Sequence, residues 1–178
     1  MPFSFHEGLP EATTLHIDQG IFHDSKHLNL QAPSGWHSFY IQNSKQVEGI
    51  VSFHTDKDEA ASPYRSPFGS YLFSDALPES ALAEFVTYCE NQQIKKKVKF
   101  ITLKNQPEVY STEKSKKLLR VLSRLGYTLA AEETSAVISI RGKVFESGLH
   151  KSEKKRLRKC RESGLTFTIM PLLQLQKI

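Results

Sequence analysis

The spacing of apolar and polar positions changes several times along the chain, and each change marks an element. WHSFYIQ (Trp36–Gln42) and QVEGIVSFHT (Gln46–Thr55) are rich in aromatic and β-branched residues and flank Asn43-Ser44-Lys45, which predicts an antiparallel hairpin. DKDEAASPYRSP, from Asp56 to Pro67, mixes charges, small residues and two prolines; it reads as a loop into a short aromatic strand, FGSYLFS (Phe68–Ser74), the third of that sheet. Leu82, Phe85, Val86 and Cys89 then recur at i, i+3, i+4 and i+7, predicting an amphipathic helix that begins at Pro78 and ends near Gln93. VKFITL (Val98–Leu103) alternates into a strand, and KNQPEVYST (Lys104–Thr112) is a loop. Leu118, Val121, Leu122 and Leu125 mark a second helix closed by Gly126, and YTLAAEETSAVISI (Tyr127–Ile140) supplies two further strand candidates around Glu132-Glu133-Thr134. The order from Trp36 to Ile140, β-β-β-α-β-α-β-β, describes a mixed α/β layer architecture with the Leu82 and Leu118 stripes packed on a central sheet.

Past Ile140 the pattern is helical and basic. On a wheel of 100° per residue, Phe145, Leu149, Ser152, Leu157, Cys160 and Gly164 share one arc of about 140°, which predicts an amphipathic helix broken or kinked near Gly148. Seven Lys or Arg residues lie between Lys151 and Arg161, mostly on the opposite side. Arg156 falls inside the apolar arc, where its stem can pack while the guanidinium reaches a carboxylate or phosphate. Two readings stay open for Lys154, Lys155, Arg156 and Arg158: a solvated helix face, or contacts to phosphate. No aromatic is interleaved between Lys151 and Arg161, so direct nucleic-acid binding is the minority reading, with RNA contact kept open.

Composition sharpens this picture in a few places. The 178 residues, 39% hydrophobic and 24% charged, suit a single core with extra elements. Formal net charge is +5, and Lys143–Ser163 alone carries eight basic against three acidic residues, so the basicity is local. Cys89 and Cys160 have no CxxC or metal spacing, which argues against a disulfide framework or zinc site and for a reducing cytoplasm. MPFSFHEGLPEATT lacks the basic start and apolar run of a signal peptide, and no stretch approaches the ~20 apolar residues of a span, so the expectation is a soluble, cytoplasmic chain without membrane contact. His23 and His27 are spaced i, i+4 but lack a third ligand, and HTDKDE (His54–Glu59) lacks the glycine and terminal glutamate of a calcium loop, so no metal site is expected.

LHKSEKKRLRKCRESGLTF resembles the segment that links two tandem folds in Fem-type and related GNAT-like N-acyltransferases. The residues carrying the resemblance are Ser152, Lys154, Lys155, Leu157, Arg158, Lys159, Cys160 and Gly164. SPYRSPFGS (Ser62–Ser70), ITLKNQPEVY (Ile101–Tyr110) and LSRLGY (Leu122–Tyr127) point the same way in the same order, and the likeness runs from about Ile21. It implies a GNAT-like domain over residues 1–141, with 142–178 forming the linking helix and the first strand of a second, truncated GNAT-like domain. It also implies transfer of an acetyl or aminoacyl group from acyl-CoA or aminoacyl-tRNA to the amine of a small molecule or peptide. The family's glycine-rich phosphate turn should fall between Phe73 and Leu82, where this chain has FSDALPESAL, with Asp75 and Glu79 facing the diphosphate position. The expectation is therefore that acyl-CoA is bound by the second domain. Asn105 and Tyr110 follow a strand end near where such folds do acyl transfer; turn and capping roles are the alternative. Arg65, in its proline-stiffened loop, either holds a carboxylate or phosphate of the acceptor or is a plain loop arginine. The contrasting reading is a non-catalytic module whose basic helix contacts RNA, tRNA, a nucleotide or an acidic protein. The Leu149, Leu157 and Cys160 side offers a surface for self-association.

Overall fold

The computed structural model describes residues 2–10, 17, 22–44, 46–134 and 145–166. The chain divides into two compact units, Met1–Glu133 and Thr134–Ile178.

The first unit holds β1 (Phe3–Glu7), α1 (Ser25–Gln31), β2 (Trp36–Asn43), β3 (Gln46–Asp56), β4 (Glu59–Ser62), β5 (Leu72–Phe73), α2 (Glu79–Lys95), β6 (Phe100–Leu103) and α3 (Thr112–Arg124). Five strands follow the order β1-β2-β3-β4-β6, with β5 beside β3; all pairings are antiparallel except β4 with β6. This is the mixed sheet flanked by helices that the alternating periods predict.

The expected hairpin is β2–β3, and its turn holds Ser44 at a positive φ of 55°. Two expectations need correction. The stretch read as one loop from Asp56 to Pro67 contains a strand, β4, because Lys57 adopts φ 54° and folds β3 straight back on itself at Asp56↔Glu59. Tyr127–Thr134, read as the start of a strand pair, has no strand; the rest of that candidate, 135–140, lies outside the described residues. β1 and α1 complete the unit ahead of the predicted order, and Pro78 stands just before the first helical residue of α2 instead of inside it.

Strand alternation divides the sheet into two unlike faces. Phe39 and Ile41 of β2, Val51 and Phe53 of β3, and Tyr71 and Phe73 join Leu82, Phe85, Val86 and Cys89 of α2 and Leu118, Val121 and Leu122 of α3 in one buried apolar cluster. Both predicted helical stripes therefore pack on the sheet as expected. The opposite face presents Ser38 and Ser52 toward the α1 side, where His23 is buried.

β4 and β5 share a single lane between β3 and β6. After Ser62 the chain leaves the lane through a cis Ser62–Pro63 bond and returns at Gly69, which bridges Asn105. The Ser70 amide donates to Ser62 Oγ at 3.0 Å and the Gly69 amide to the Lys104 carbonyl at 2.9 Å, so residues 63–68 form a closed excursion from the sheet. A Cβ on Gly69 would meet Pro63 N at 2.9 Å, which explains the glycine at the return.

The second unit shows a 3₁₀ turn, Phe145–Gly148, and α4, Lys151–Glu162. The break predicted near Gly148 falls between them, and His150 caps α4 by accepting the Ser152 amide. No residue of α4 is buried; its basic residues are exposed and Leu157 is half-buried.

Candidate functional site

The lane and β6 run parallel only as far as the Gly69–Asn105 bridge. Beyond it the lane continues along β3, while the other chain turns away through Pro107 into the 3₁₀ turn Glu108–Tyr110 and then α3. The divergence opens a cavity of about 230 Å³. Gly69–Phe73 form one wall, Asn105, Gln106 and Tyr110 the second, and Ser111, Lys114, Ser115 and Leu118 the third.

The lane's free edge is polar. The Ser74 amide donates to the Glu48 carbonyl at 2.8 Å, and antiparallel pairs alternate between bonded and non-bonded, so Phe73 and Tyr71 take non-bonded positions against β3. Their backbone N–H and C=O groups then face the opposite edge, toward the diverging strand. Two buried polar atoms on these walls, Ser70 Oγ and Asn105 Oδ1, have no hydrogen-bond partner. Ser70 also sits at φ 74°, a left-handed conformation that costs a non-glycine residue roughly 1–2 kcal/mol and is retained where surrounding structure imposes it.

Behind Ser70 lies His23, with its Nδ1 3.5 Å from Ser52 Oγ, which in turn is 2.8 Å from Ser38 Oγ. Burial lowers the His23 pKa to about 4, against a smaller opposing contribution from its hydrogen bond to the Ser70 backbone, so the ring is neutral at pH 7. His23 precedes α1 and His27 lies within it, bonded to Ser66 Oγ at 2.9 Å, so the i, i+4 pair does not converge as metal ligands. Among the described residues no three His, Cys, Asp or Glu side chains gather into a ligand set.

At the far end, the turn from Ser74 to Pro78 leads into α2, whose N-terminus receives no side-chain cap. Asp75 and Glu79, expected to face a phosphate position, both meet cations of α3. Lys114, Lys117, Arg120 and Arg124 recur every three or four residues and so share the side turned to this turn. Lys114 lies 3.4 Å from Asp75, Arg120 and Arg124 each lie 3.2 Å from Glu79, and Lys117 donates to the Leu77 carbonyl. Both carboxylates are thus engaged by cations from the next helix.

Of the residues singled out in the sequence, Asn105 and Tyr110 come together on one cavity wall; the Tyr110 side chain is 64% exposed and its ring lies 5.7 Å from Phe68. Arg65 lies on the 63–68 excursion and not in the cavity lining. Lys154, Lys155, Arg156 and Arg158 lie on α4, where Arg156 pairs with Glu153 at 2.9 Å and Arg158 with Glu162 at 3.5 Å, so the carboxylate reached by Arg156 is its own helix neighbour. Sequence reasoning missed Ser70 and the α3 cations, and weighed His23 only as half of a metal pair. The spacing of Lys114, Lys117, Arg120 and Arg124 was a readable signal for the cations; a buried serine and histidine give none. Among the described residues no helix is long and apolar enough to cross a membrane.

No family model matches the chain, and no curated protein does. Among solved structures the chain is similar to AAC(6')-Iy in complex with the bisubstrate analogue CoA-S-monomethyl-acetylneamine, at 16% identity and a TM-score of 0.46, covering 81% of this chain and 100% of that one. It is also similar to a transcriptional regulator from Bacillus halodurans C-125, at 12% identity and a TM-score of 0.41, covering 65% of this chain and 77% of that one.

Proposed function

We propose that the chain is an N-acyltransferase of the GNAT-like type, and that its donor, an acyl-CoA thioester, lays its amide-bearing arm in the gap between the lane and β6. The observation that carries this reading is the divergence of two parallel strands around a cavity of about 230 Å³ with unpartnered Ser70 Oγ and Asn105 Oδ1 on its walls. An arm with spaced amides fits such a gap, because the backbone groups of Tyr71 and Phe73 can pair with it as with another strand. In the transfer the amine nitrogen attacks the thioester carbonyl, the C–S bond breaks, the nitrogen releases its proton to water and the thiolate takes one. The proposal assigns that proton to Tyr110, at the cavity wall, and the orientation of the arm to Asn105.

The diphosphate end fits less well. The turn before α2 has no glycine, Lys117 occupies the Leu77 carbonyl and Lys114 is held by Asp75. Donor binding by this unit is therefore weak, and the tandem arrangement of Fem-type enzymes, with a second donor site after α4, belongs to the same proposal. The test is an amide-resolved NMR titration with acetyl-CoA. Expected are shifts at Ser70, Asn105 and Tyr110 with a dissociation constant of about 0.1–1 mM, weakened by Asn105→Ala. Absence of shifts at those three residues at millimolar acetyl-CoA overturns the reading.

The exposed basic face of α4 favours a second reading, a non-catalytic module contacting an anionic partner such as RNA, a nucleotide or an acidic protein. Retention on RNA that falls steeply with salt, in a chain that shows no acetyl-CoA shifts, supports it over the first.

A further inference from the structure

Arg65 is mounted on an aromatic plate. Its guanidinium carbon lies 5.0 Å from the centroid of the Tyr64 ring, and that ring stacks on His54 at 3.8 Å and 17°. The loop beneath is held at two successive residues: the Arg65 amide donates to Gln31 Oε1 at 2.9 Å, and the Ser66 side chain meets His27 Nε2 through its Oγ at 2.9 Å. Among the described residues no carboxylate lies within ion-pair distance of it, and the one side-chain hydrogen bond it makes there is long, 3.5 Å to the Tyr64 hydroxyl. An arginine carries five donors in a planar fork and no acceptor, and a free one spends rotamer entropy when it binds. Here the aromatic plate and the pinned loop have already restricted it, and the fork stays open.

The excursion bearing Arg65 ends at the cavity. Gly69 and Ser70 are cavity wall, and Phe68 lies 5.7 Å from the Tyr110 ring. Arg65 stands four positions before Gly69, a backbone span of at most about 14 Å even fully extended. A molecule with its amine at the cavity mouth therefore has no more than about 14 Å of backbone to span before it meets the Arg65 loop.

Resting on the acyl-transfer reading, we propose that Arg65 on its Tyr64–His54 platform binds an oxyanion on the acceptor, so that the acceptor is an amine whose other end carries a carboxylate or phosphate. The fork matches both groups in two-bond geometry. The class this selects is short peptides and phosphorylated amines, and it disfavours polycationic amines.

The experiment is an NMR titration of the full chain, without acyl donor, using glycylglycine, glycylglycine amide and phosphoethanolamine. Expected are shifts of the Arg65 Nε–H and the Tyr64 ring with glycylglycine or phosphoethanolamine, the stronger of the two naming the oxyanion. The amide should bind at least about tenfold more weakly, R65Q should lose the same factor, and R65K should fall between because it keeps charge without the fork. An unchanged unfolding temperature for R65Q confirms that the variant folds. Equal shifts with the amide, equal binding by R65Q, or no shift at Arg65 with any probe overturns the proposal. Shifts at Arg65 combined with none at Ser70 and Asn105 on adding acetyl-CoA would leave the oxyanion site standing and sink acyl transfer; the reverse pattern sinks the oxyanion site alone.

Discussion

The two faces of the sheet are made by alternate residues of the same strands, yet they do different work. Phe39 and Val51 lie opposite each other on the face under α2, while Ser38 and Ser52, one register step away, lie opposite each other on the face toward α1. The first face is a continuous apolar cluster and supplies stability in proportion to area removed from water. The second buries His23, Ser38, Ser52 and Gln31, and three buried atoms linked to it or the lane, Gln31 Nε2, His54 Nδ1 and Ser70 Oγ, lack partners. Area holds the fold on one side; particular hydrogen bonds hold the cavity wall in place on the other. Variants on either face should therefore fail in different ways.

The largest effect belongs to the apolar face. Phe85 is fully buried, 5.6 Å from the Tyr71 ring and 6.2 Å from Phe5, so Phe85→Ala removes a large side chain from where three elements meet. A loss of about 3–5 kcal/mol is expected in urea unfolding. A loss no greater than that of Ser52→Ala, about 1–2 kcal/mol, would erase the contrast between the faces.

Acid separates the faces next, since the polar one buries His23 while His37, which shares the other with Phe39 and Ile41, is only partly buried. His23 has a folded pKa of about 4 against an ordinary 6.5, so the fold favours its neutral form. Above pH 6.5 it contributes no pH dependence. As pH falls from 6.5 to 4 the unfolded chain takes up a proton that the folded chain refuses, and stability drops by about 1.4 kcal/mol per pH unit, roughly 3 kcal/mol in all. His23→Asn should reduce the slope in that window in chemical unfolding measured pH by pH, leaving the smaller share of His37, whose pKa burial also lowers. A wild-type chain whose stability is level from pH 6.5 to 4 would show that His23 is not held neutral.

Ser70 lies where the faces and the cavity meet, and its replacement should move stability and binding in opposite directions. Ser70→Gly relieves a positive φ of 74° and removes a buried hydroxyl without a partner, for an expected gain of about 0.5–1 kcal/mol after the glycine's own entropy cost. The same change deletes a polar atom from the cavity wall, so acetyl-CoA shifts should weaken. Lower stability with unchanged binding would mean that the kink serves only the fold.

The contrast between faces also marks what the sequence made readable. Leu82, Phe85, Val86, Cys89 and Leu118, Val121, Leu122 announce their helices because each stripe has one apolar destination and a 3.6-residue period. Asn105 and Tyr110 were legible as loop residues after a strand end, and both line the cavity. β4 was not, since EAAS carries neither β-branched nor aromatic residues and its pairing is fixed by the tight turn at Lys57. His23, Ser38, Ser52 and Ser70 were silent for a related reason: a buried polar residue looks, in sequence, like an exposed one. The divergence of the lane from β6 depends on backbone pairing at a single bridge, which no residue pattern records.

The smallest effect is expected from α4, a helix whose apolar arc has no buried member. α2 buries Leu82, Phe85, Val86 and Cys89 on one stripe, whereas within α4 only Leu157 is half-buried and Cys160 is exposed. A stripe that narrow gives a substitution little to disturb. Leu157→Glu should therefore change the unfolding free energy of the sheet unit by no more than about 0.5 kcal/mol, the usual range for surface positions. If the Leu149, Leu157 and Cys160 side joins two copies of the chain, the same variant should shift sizing chromatography toward the monomer, because the new carboxylate would have to be buried against its own copy. Unfolding curves that overlay the wild type, with a monomer shift that grows with protein concentration, support self-association through α4. A sheet unit that unfolds several degrees lower in the Leu157→Glu variant would show instead that α4 shares the core that Phe85 anchors, and the division between an area-stabilised body and an unburied basic helix would fail.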